Sequence, residues 1–366
     1  MLNEKLLKDD ERAILSLRTL YGKYGYLPYK MSKFEEYDLY VKNKDFLISD
    51  SVITFNDTNG KLLALKPDVT LSIIKNSADE IGCKQKVYYN ENVYRISGAT
   101  RQFKEIMQTG LECIGDLDLY DVFEVLYLSA KSLATISDSF VLDISHLGVL
   151  NALLNNVSAN EAFRAEIMTC IKQKNAHEIN SICEKYSVDD ENAEILKKFV
   201  SIYGSPTAVI SKLKEIAVNE DYLSCVNELE SICSLLAKTE YSDKIRLDFS
   251  LVNDMNYYNG IVFNGFLNGI PETVLFGGSY DKLMERMSRK SKGIGFALYL
   301  DLLEAIQKNT KEYDVDVLLI YNDKTDIASL NETVESYINE QKSVSVQKAI
   351  PSKLRYKELI DLSREA

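Results

Sequence analysis

The chain has 366 residues, 46% of them hydrophobic, and carries 55 acidic against 43 basic side chains for a net charge of −12. That length supports a large domain plus a smaller one around a sizeable core, and the acidic balance argues against a tRNA-gripping surface, because phosphate neutralisation dominates such binding. Two histidines leave little for a zinc centre or histidine-based catalysis, six cysteines without a Cys-x-x-Cys pair read as reduced thiols of a cytoplasmic protein, and neither an apolar leader nor a membrane-spanning apolar run is expected.

Ile14, Leu17, Tyr21 and Tyr24 recur at helical spacing before Gly25, which predicts an amphipathic first helix. Val52–Phe55 and Lys61–Leu65 flank Asp57-Thr58-Asn59-Gly60, and Asn-Gly is a strong hairpin turn. Lys66-Pro67-Asp68-Val69-Thr70 then leads into Leu71-Ser72-Ile73-Ile74, where Asp68 and Thr70 suit either a helix cap or a binding role. Lys86–Gly115 reads as strand, loop, strand, with Ser97–Thr100 as the loop. Gln108, Gly110 and Glu112 fall two apart, so in a strand they share one face. Spacing alone makes that face solvated or the floor of a polar pocket, with the solvated reading the ordinary one.

After Gly115, Leu119, Val122, Phe123 and Leu126 mark a helix with Asp116 and Asp118 at its start. A short strand over 139–145 follows, and His146 reads as a packing or surface residue. Residues 151–242 are helical in texture, with Ile179, Ile182, Cys183 and Tyr186, then Ile195, Leu196, Phe199 and Val200, then Leu229, Ile232, Cys233 and Leu236 at helical spacing. Ile245 to Val252 alternates as a strand. A second strand reaches Leu267, turns at Asn268-Gly269 and returns through Val274-Leu275-Phe276 to Gly277-Gly278. Ser288–Lys292 reads as a solvated basic loop, and a helix is expected from Tyr299. Asp314–Tyr321 and Ser343–Val346 read as strands around a helix from Leu330.

Several of these stretches, taken in order from about residue 10 to 305, resemble the class II aminoacyl-tRNA synthetase core. The form is that of the histidyl-tRNA synthetase family and its branch of ATP phosphoribosyltransferase regulatory subunits. Tyr94-Arg95 resembles the aromatic-arginine pair of motif 2, and Gln108-Thr109-Gly110-Leu111-Glu112 the Gln-x-Gly-x-Glu that holds histidine. Tyr257-Tyr258-Asn259-Gly260 resembles the histidine-specific motif, Gly277-Gly278-Ser279-Tyr280-Asp281 the Gly-Gly-Arg-Tyr-Asp motif, and Gly293–Ala297 motif 3. The resemblance implies an α+β fold. Residues 1–150 and 243–310 would form a synthetase-like antiparallel sheet flanked by helices, 151–242 a helical insertion, and 311–366 a short α/β segment. It also implies a histidine pocket: Gln108 and Glu112 on the imidazole, Asp68 and Thr70 on the ammonium side, Arg95 on the carboxylate or an anionic partner, and Tyr257 and Tyr258 as walls.

The departures point away from adenylation. The arginine of the histidine motif is Asn253 here, that of motif 3 is Leu302, and Ser279 replaces a third. Losing one well-placed charge in such a site costs roughly 10²–10³ in rate. The resemblance therefore implies a non-catalytic regulatory subunit without metal or cofactor. It would assemble as a dimer within a hetero-oligomer with a separate short catalytic subunit, which joins ATP to phosphoribosyl pyrophosphate in the first step of histidine biosynthesis. Histidine would be its feedback effector, bound either in this pocket or, with the pocket vestigial, elsewhere in the complex. A divergent histidyl-tRNA synthetase and a stand-alone histidine-binding paralogue are the alternatives.

Overall fold

The computed structural model describes residues 9–44, 52–80, 82–96, 102–251, 257–305 and 312–364. The loop expected at 97–100 and Asn253 lie outside them. The chain divides into two compact units between residues 306 and 307.

In the first unit, helix α1 (Asp9–Lys23) and the two-residue strand β1 (Leu27–Pro28) precede a small sheet. That sheet holds β2 (Phe34–Glu36), β3 (Thr54–Asn56) and β4 (Leu62–Leu65) in the order β2-β4-β3, with helix α2 (Tyr37–Lys42) between β2 and β3. The Asn59-Gly60 turn forms, with Gly60 at φ +79°, a left-handed conformation that glycine adopts without strain. Helix α3 (Thr70–Asn76) leads to the long hairpin of β5 (Lys84–Ile96) and β6 (Phe103–Gly115).

Helix α4 (Leu119–Ile136) starts where sequence chemistry places it. The Asp118 side chain accepts from the N–H groups of Tyr120 and Asp121, and the Asp121 carboxylate accepts from the N–H of Asp118 at 2.8 Å. This reciprocal cap satisfies donors that the first turn would otherwise leave open. Its apolar face, with Val125, Leu126, Leu128 and Leu133 fully buried, shares a core with Leu111 and Cys113 of β6 and with Tyr21 of α1. Each such side chain contributes on the order of 2 kcal/mol on burial.

Strand β7 (Phe140–His146) enters a helical stretch of α5 (Leu147–Val157), α6 (Glu161–Gln173), α7 (Ile179–Lys185), α8 (Asp190–Val200), α9 (Pro206–Ile216) and α10 (Glu220–Leu236), broken by the two-residue β8 (Tyr203–Gly204). His146 caps α5: its Nδ1 accepts from the N–H of Gly148 at 3.0 Å. The chain returns through β9 (Ile245–Asp248), β10 (Ile261–Leu267), β11 (Leu275–Ser279), helix α11 (Asp281–Arg286) and β12 (Lys292–Tyr299). The main sheet runs β1-β5-β6-β12-β11-β10-β7-β9-β8, antiparallel from β5 through β7.

Two expectations change. Of the alternation over 245–252, Val252 lies outside the described residues, and pairing over the rest ends at Asp248, whose carboxylate turns the chain by accepting from the N–H and hydroxyl of Ser250 at 2.9 and 2.7 Å. Instead of a helix beginning at Tyr299, β12 runs through Tyr299 in register with β6, and a 3-10 helix follows over Asp301–Ala305, where the described residues break off. The basic loop at 288–292 is held by Asp79, which accepts from the N–H groups of Lys290 and Ser291 at 3.0 Å.

The second unit is a parallel sheet in the order β14-β13-β15, built from β13 (Val315–Ile320), β14 (Val344–Gln347) and β15 (Tyr356–Asp361), with helix α12 (Ile327–Asn339). Val317 and Leu319 of β13 form its small core with Leu330 of α12. Among the described residues no helix is long and apolar enough to cross a membrane, and no group of three or more His, Cys, Asp or Glu side chains is placed to hold a metal.

Candidate functional site

Strand register builds the site. Glu112 of β6 lies opposite Gly295 of β12, Gly110 opposite Ala297, and Gln108 opposite Tyr299. One strand further, Gly295 pairs with Gly278 of β11, and Ala297 with Phe276. On the other side Gly110 faces Tyr89 of β5. Directly opposed residues share a sheet face, so the two-apart pattern of β6 extends across four strands into one floor. The start of α3 supplies Asp68 and Thr70, and Tyr257 and Tyr258 close the other side. Asp68, Thr70, Arg95, Gln108, Glu112, Tyr257 and Tyr258 all line this single pocket, together with Tyr89, Phe276, Tyr280, Phe296, Ala297 and Tyr299.

The floor glycines make room for functional groups rather than for turns. A methyl on Gly295 would sit 1.8 Å from Oε2 of Glu112, one on Gly110 would sit 2.6 Å from the Tyr89 hydroxyl, and one on Gly278 would sit 2.7 Å from the Tyr258 ring. The Glu112 carboxyl thus occupies the space above Gly295. It is 2% exposed, its Oε1 accepts from the Thr70 hydroxyl at 2.8 Å, and its Oε2 accepts from the Tyr280 hydroxyl at 2.7 Å. Burial pushes its pKa up to about 8 despite those two donors, with the nearby charge of Asp68 adding to the rise.

Asp68 faces both α3 and the pocket. Its Oδ1 accepts from the N–H of Leu71 at 2.9 Å, capping α3, and the same carboxyl lines the pocket. Burial raises its pKa, opposed by that N–H and by the Arg95 guanidinium. Arg95 donates from Nε to the Pro67 carbonyl at 2.9 Å and from a terminal nitrogen to the Tyr299 hydroxyl at 3.1 Å. Gln108 is 2% exposed, and its Nε2 has no hydrogen-bond partner among the described residues. An amide donor desolvated in this way is costly unless a ligand or water accepts from it. Tyr257 and Tyr258 meet edge to face at 4.7 Å between centroids, and Tyr280 lies 6.3 Å beyond Tyr257. The free space among these groups is about 30 Å³, room for roughly two waters. An amino-acid side chain would enter only with displacement of the aromatic walls.

The arrangement offers a carboxyl acceptor and an amide donor at one end, and an acidic and a cationic group at the other. That pattern suits a zwitterion with a polar side chain. Reading the sequence alone leaves Tyr89, Tyr299 and Phe276 unassigned. The signal for Tyr299 is its even spacing from Gly295 and Ala297, which becomes informative once β12 is known to pair with β6. Leu302, at the position of the motif 3 arginine, is half-buried against the main core.

The histidyl-tRNA synthetase family profile matches residues 2–303. A protein named ATP phosphoribosyltransferase regulatory subunit from Oceanobacillus iheyensis is 28% identical over 293 residues, covering 79% of this chain and 72% of that protein. One of the same name from Acetivibrio thermocellus is 26% identical over 318 residues, covering 84% and 76%. Among solved structures, an ATP phosphoribosyltransferase regulatory subunit/histidyl-tRNA synthetase from Bacillus halodurans superposes with a TM-score of 0.78 at 22% identity, covering 96% of this chain and 93% of that one. A chain of the ATP phosphoribosyl transferase complex from Thermotoga maritima gives 0.63 at 22%, covering 80% and 97%, and histidyl-tRNA synthetase from Nostoc sp. gives 0.69 at 18%, covering 94% and 83%. These likenesses are to the class II synthetase-like fold. With the profile spanning most of its length, the chain belongs to the histidyl-tRNA synthetase family.

Proposed function

We propose that this chain is the regulatory subunit of an ATP phosphoribosyltransferase, a cytoplasmic, non-catalytic protein that acts with a separate short catalytic subunit in the first step of histidine biosynthesis. Histidine is its effector, bound in the pocket above β6 and β12. Glu112 and Gln108 take the imidazole, Asp68 and Thr70 the ammonium, Arg95 the carboxylate, and Tyr257 and Tyr258 enclose the ring. By binding one state of the complex better than another, histidine shifts its activity. The domain plan goes with this reading: residues 1–150 and 243–310 form the recognition core, 151–242 a helical insertion, and 311–366 a short terminal segment.

The observation that carries the proposal is the Gln108 Nε2, unpartnered among the described residues, beside the doubly bonded Glu112 carboxyl, in a pocket where Arg95 is the one cation among the described lining residues. Recognition groups remain, while Leu302 and Asn253 stand where adenylation needs arginines. The curated relatives named above share the proposed role by name.

Calorimetry with L-histidine on the full chain, alone and assembled with a short phosphoribosyltransferase subunit, tests it. Gln108→Ala and Glu112→Ala are each expected to weaken binding by about tenfold or more. Histidine-dependent pyrophosphate exchange with ATP by the chain alone would overturn the regulatory reading in favour of a synthetase.

A further inference from the structure

The pocket rests on an ion pair that takes no direct part in it. The Lys66 side chain is 0% exposed, and its ammonium meets Oε2 of Glu91 at 2.5 Å. The other oxygen of Glu91 accepts from the N–H of Met31 at 3.4 Å. Around this pair the backbone is bonded on both sides: the Lys66 N–H donates to the Lys33 carbonyl, just before β2, at 3.2 Å, and the Tyr94 N–H of β5 donates to the Lys66 carbonyl at 2.9 Å. The next residue, Pro67, offers its carbonyl to Nε of Arg95 at 2.9 Å, and the one after it is Asp68. The segment at 66–68 and the strand at 91–95 are therefore joined at successive points. Lys66–Glu91 is the first of them, and the charged groups at the amino-acid end of the pocket are the last.

A fully buried ammonium with a single carboxylate is a poor device for stability alone, since its desolvation offsets most of the attraction and an apolar pair of similar volume is often at least as stable. What an ion pair adds is a fixed separation and direction. We propose that Lys66 and Glu91 are a positioning pair: they set the placement of Asp68 and Arg95, and through them the affinity of the pocket for the ammonium and carboxylate of an amino acid, without touching the ligand. This rests on the functional reading above. At the Glu112 and Gln108 end the pair reaches only Thr70, because β6 and the Tyr280 hydroxyl hold the rest.

The two ends supply the test. L-histidine engages both, whereas imidazole engages only the Glu112 and Gln108 end. In the full chain, assembled with its catalytic subunit if binding requires it, Lys66→Met is expected to weaken L-histidine by about tenfold or more, because small misplacements of binding groups are costly. Imidazole affinity, read by the same calorimetry, falls at least about threefold less than histidine affinity, since Tyr280 and β6 keep Glu112 and Gln108 in place and only Thr70 moves with the segment. Lys66→Arg, which preserves the cation, restores histidine binding. The double variant Lys66→Met/Glu91→Met removes the stranded charge and recovers thermal stability, yet remains weak for histidine. Proportional loss of both ligands in Lys66→Met, or recovery of histidine affinity along with stability in the double variant, would reduce the pair to a structural one and overturn the proposal. Absence of histidine binding by the wild-type assembly would overturn the site reading itself, and the proposal with it.

Discussion

Replacing Glu112 by glutamine should change how stability depends on pH more than it changes stability itself. The carboxyl is 2% exposed and is pushed up to about 8 from an ordinary 4.5. A group whose folded pKa lies above its unfolded one contributes stability that is fully present below the unfolded value and is lost as pH rises through the folded one. Here the loss runs from pH 4.5 to about 8. At about 1.4 kcal/mol per pH unit, that gap corresponds to about 5 kcal/mol across the whole window. Glutamine keeps the shape and one oxygen for Thr70 or Tyr280, whose hydroxyls can each rotate to donate or accept, and it has no proton to lose. The difference in unfolding free energy between Glu112→Gln and wild type, from urea denaturation at pH steps from 5 to 8, should grow steadily in favour of the variant. Asp143, pushed up to about 6 by burial and by Asp248, bends both curves alike in the lower part of the range, so subtraction leaves Glu112 together with its coupling to Asp68. Parallel curves, or a wild type that gains on the variant as pH rises, would refute the assignment of a buried, proton-holding carboxyl to this position.

Gly295→Ala tests the close approach of β12 to that carboxyl. The added methyl meets Oε2 of Glu112 at 1.8 Å and the backbone oxygen of Leu111 at 2.4 Å, so the variant should lose about 1–3 kcal/mol in urea denaturation and bind histidine poorly; wild-type behaviour in both would contradict the packing. Asp118→Ala removes a cap remote from the pocket and should cost about 1 kcal/mol, read by the same denaturation, with histidine affinity unchanged.

The free space of about 30 Å³ bears on how such a pocket could regulate. The walls that fill it are rings, and the Glu112 carboxyl is held by the Thr70 hydroxyl from the start of α3 and the Tyr280 hydroxyl from the start of α11. A ligand bonding to Glu112 therefore shares that carboxyl with hydroxyls seated at the starts of two helices. The energy of recognition is then coupled to where those helices sit, which is the differential contact between states that an effector requires.

Local pattern made most of this unit legible, and its failures share a cause. The Asn59-Gly60 turn, the Asp118 cap and the even spacing of Gln108, Gly110 and Glu112 each depend on residues within a few positions, and each forms. Whether the even face of β6 is solvated depends on Tyr257, Tyr258 and Tyr280, which lie about 150 residues further along the chain and cover it only after β12 and β11 have paired. Periodicity states which side chains share a face and says nothing about what covers that face. The motif resemblance supplied that information, because a motif spread over distant stretches records long-range pairing. Where no motif reaches, the gap shows. Tyr356–Asp361 joins β13 as a parallel edge strand, but its exposed Lys357, Glu358 and Leu359 give it no alternation to read. Edge strands are kept polar and irregular to discourage unwanted pairing, and the chemistry that protects β15 is what hides it in the sequence.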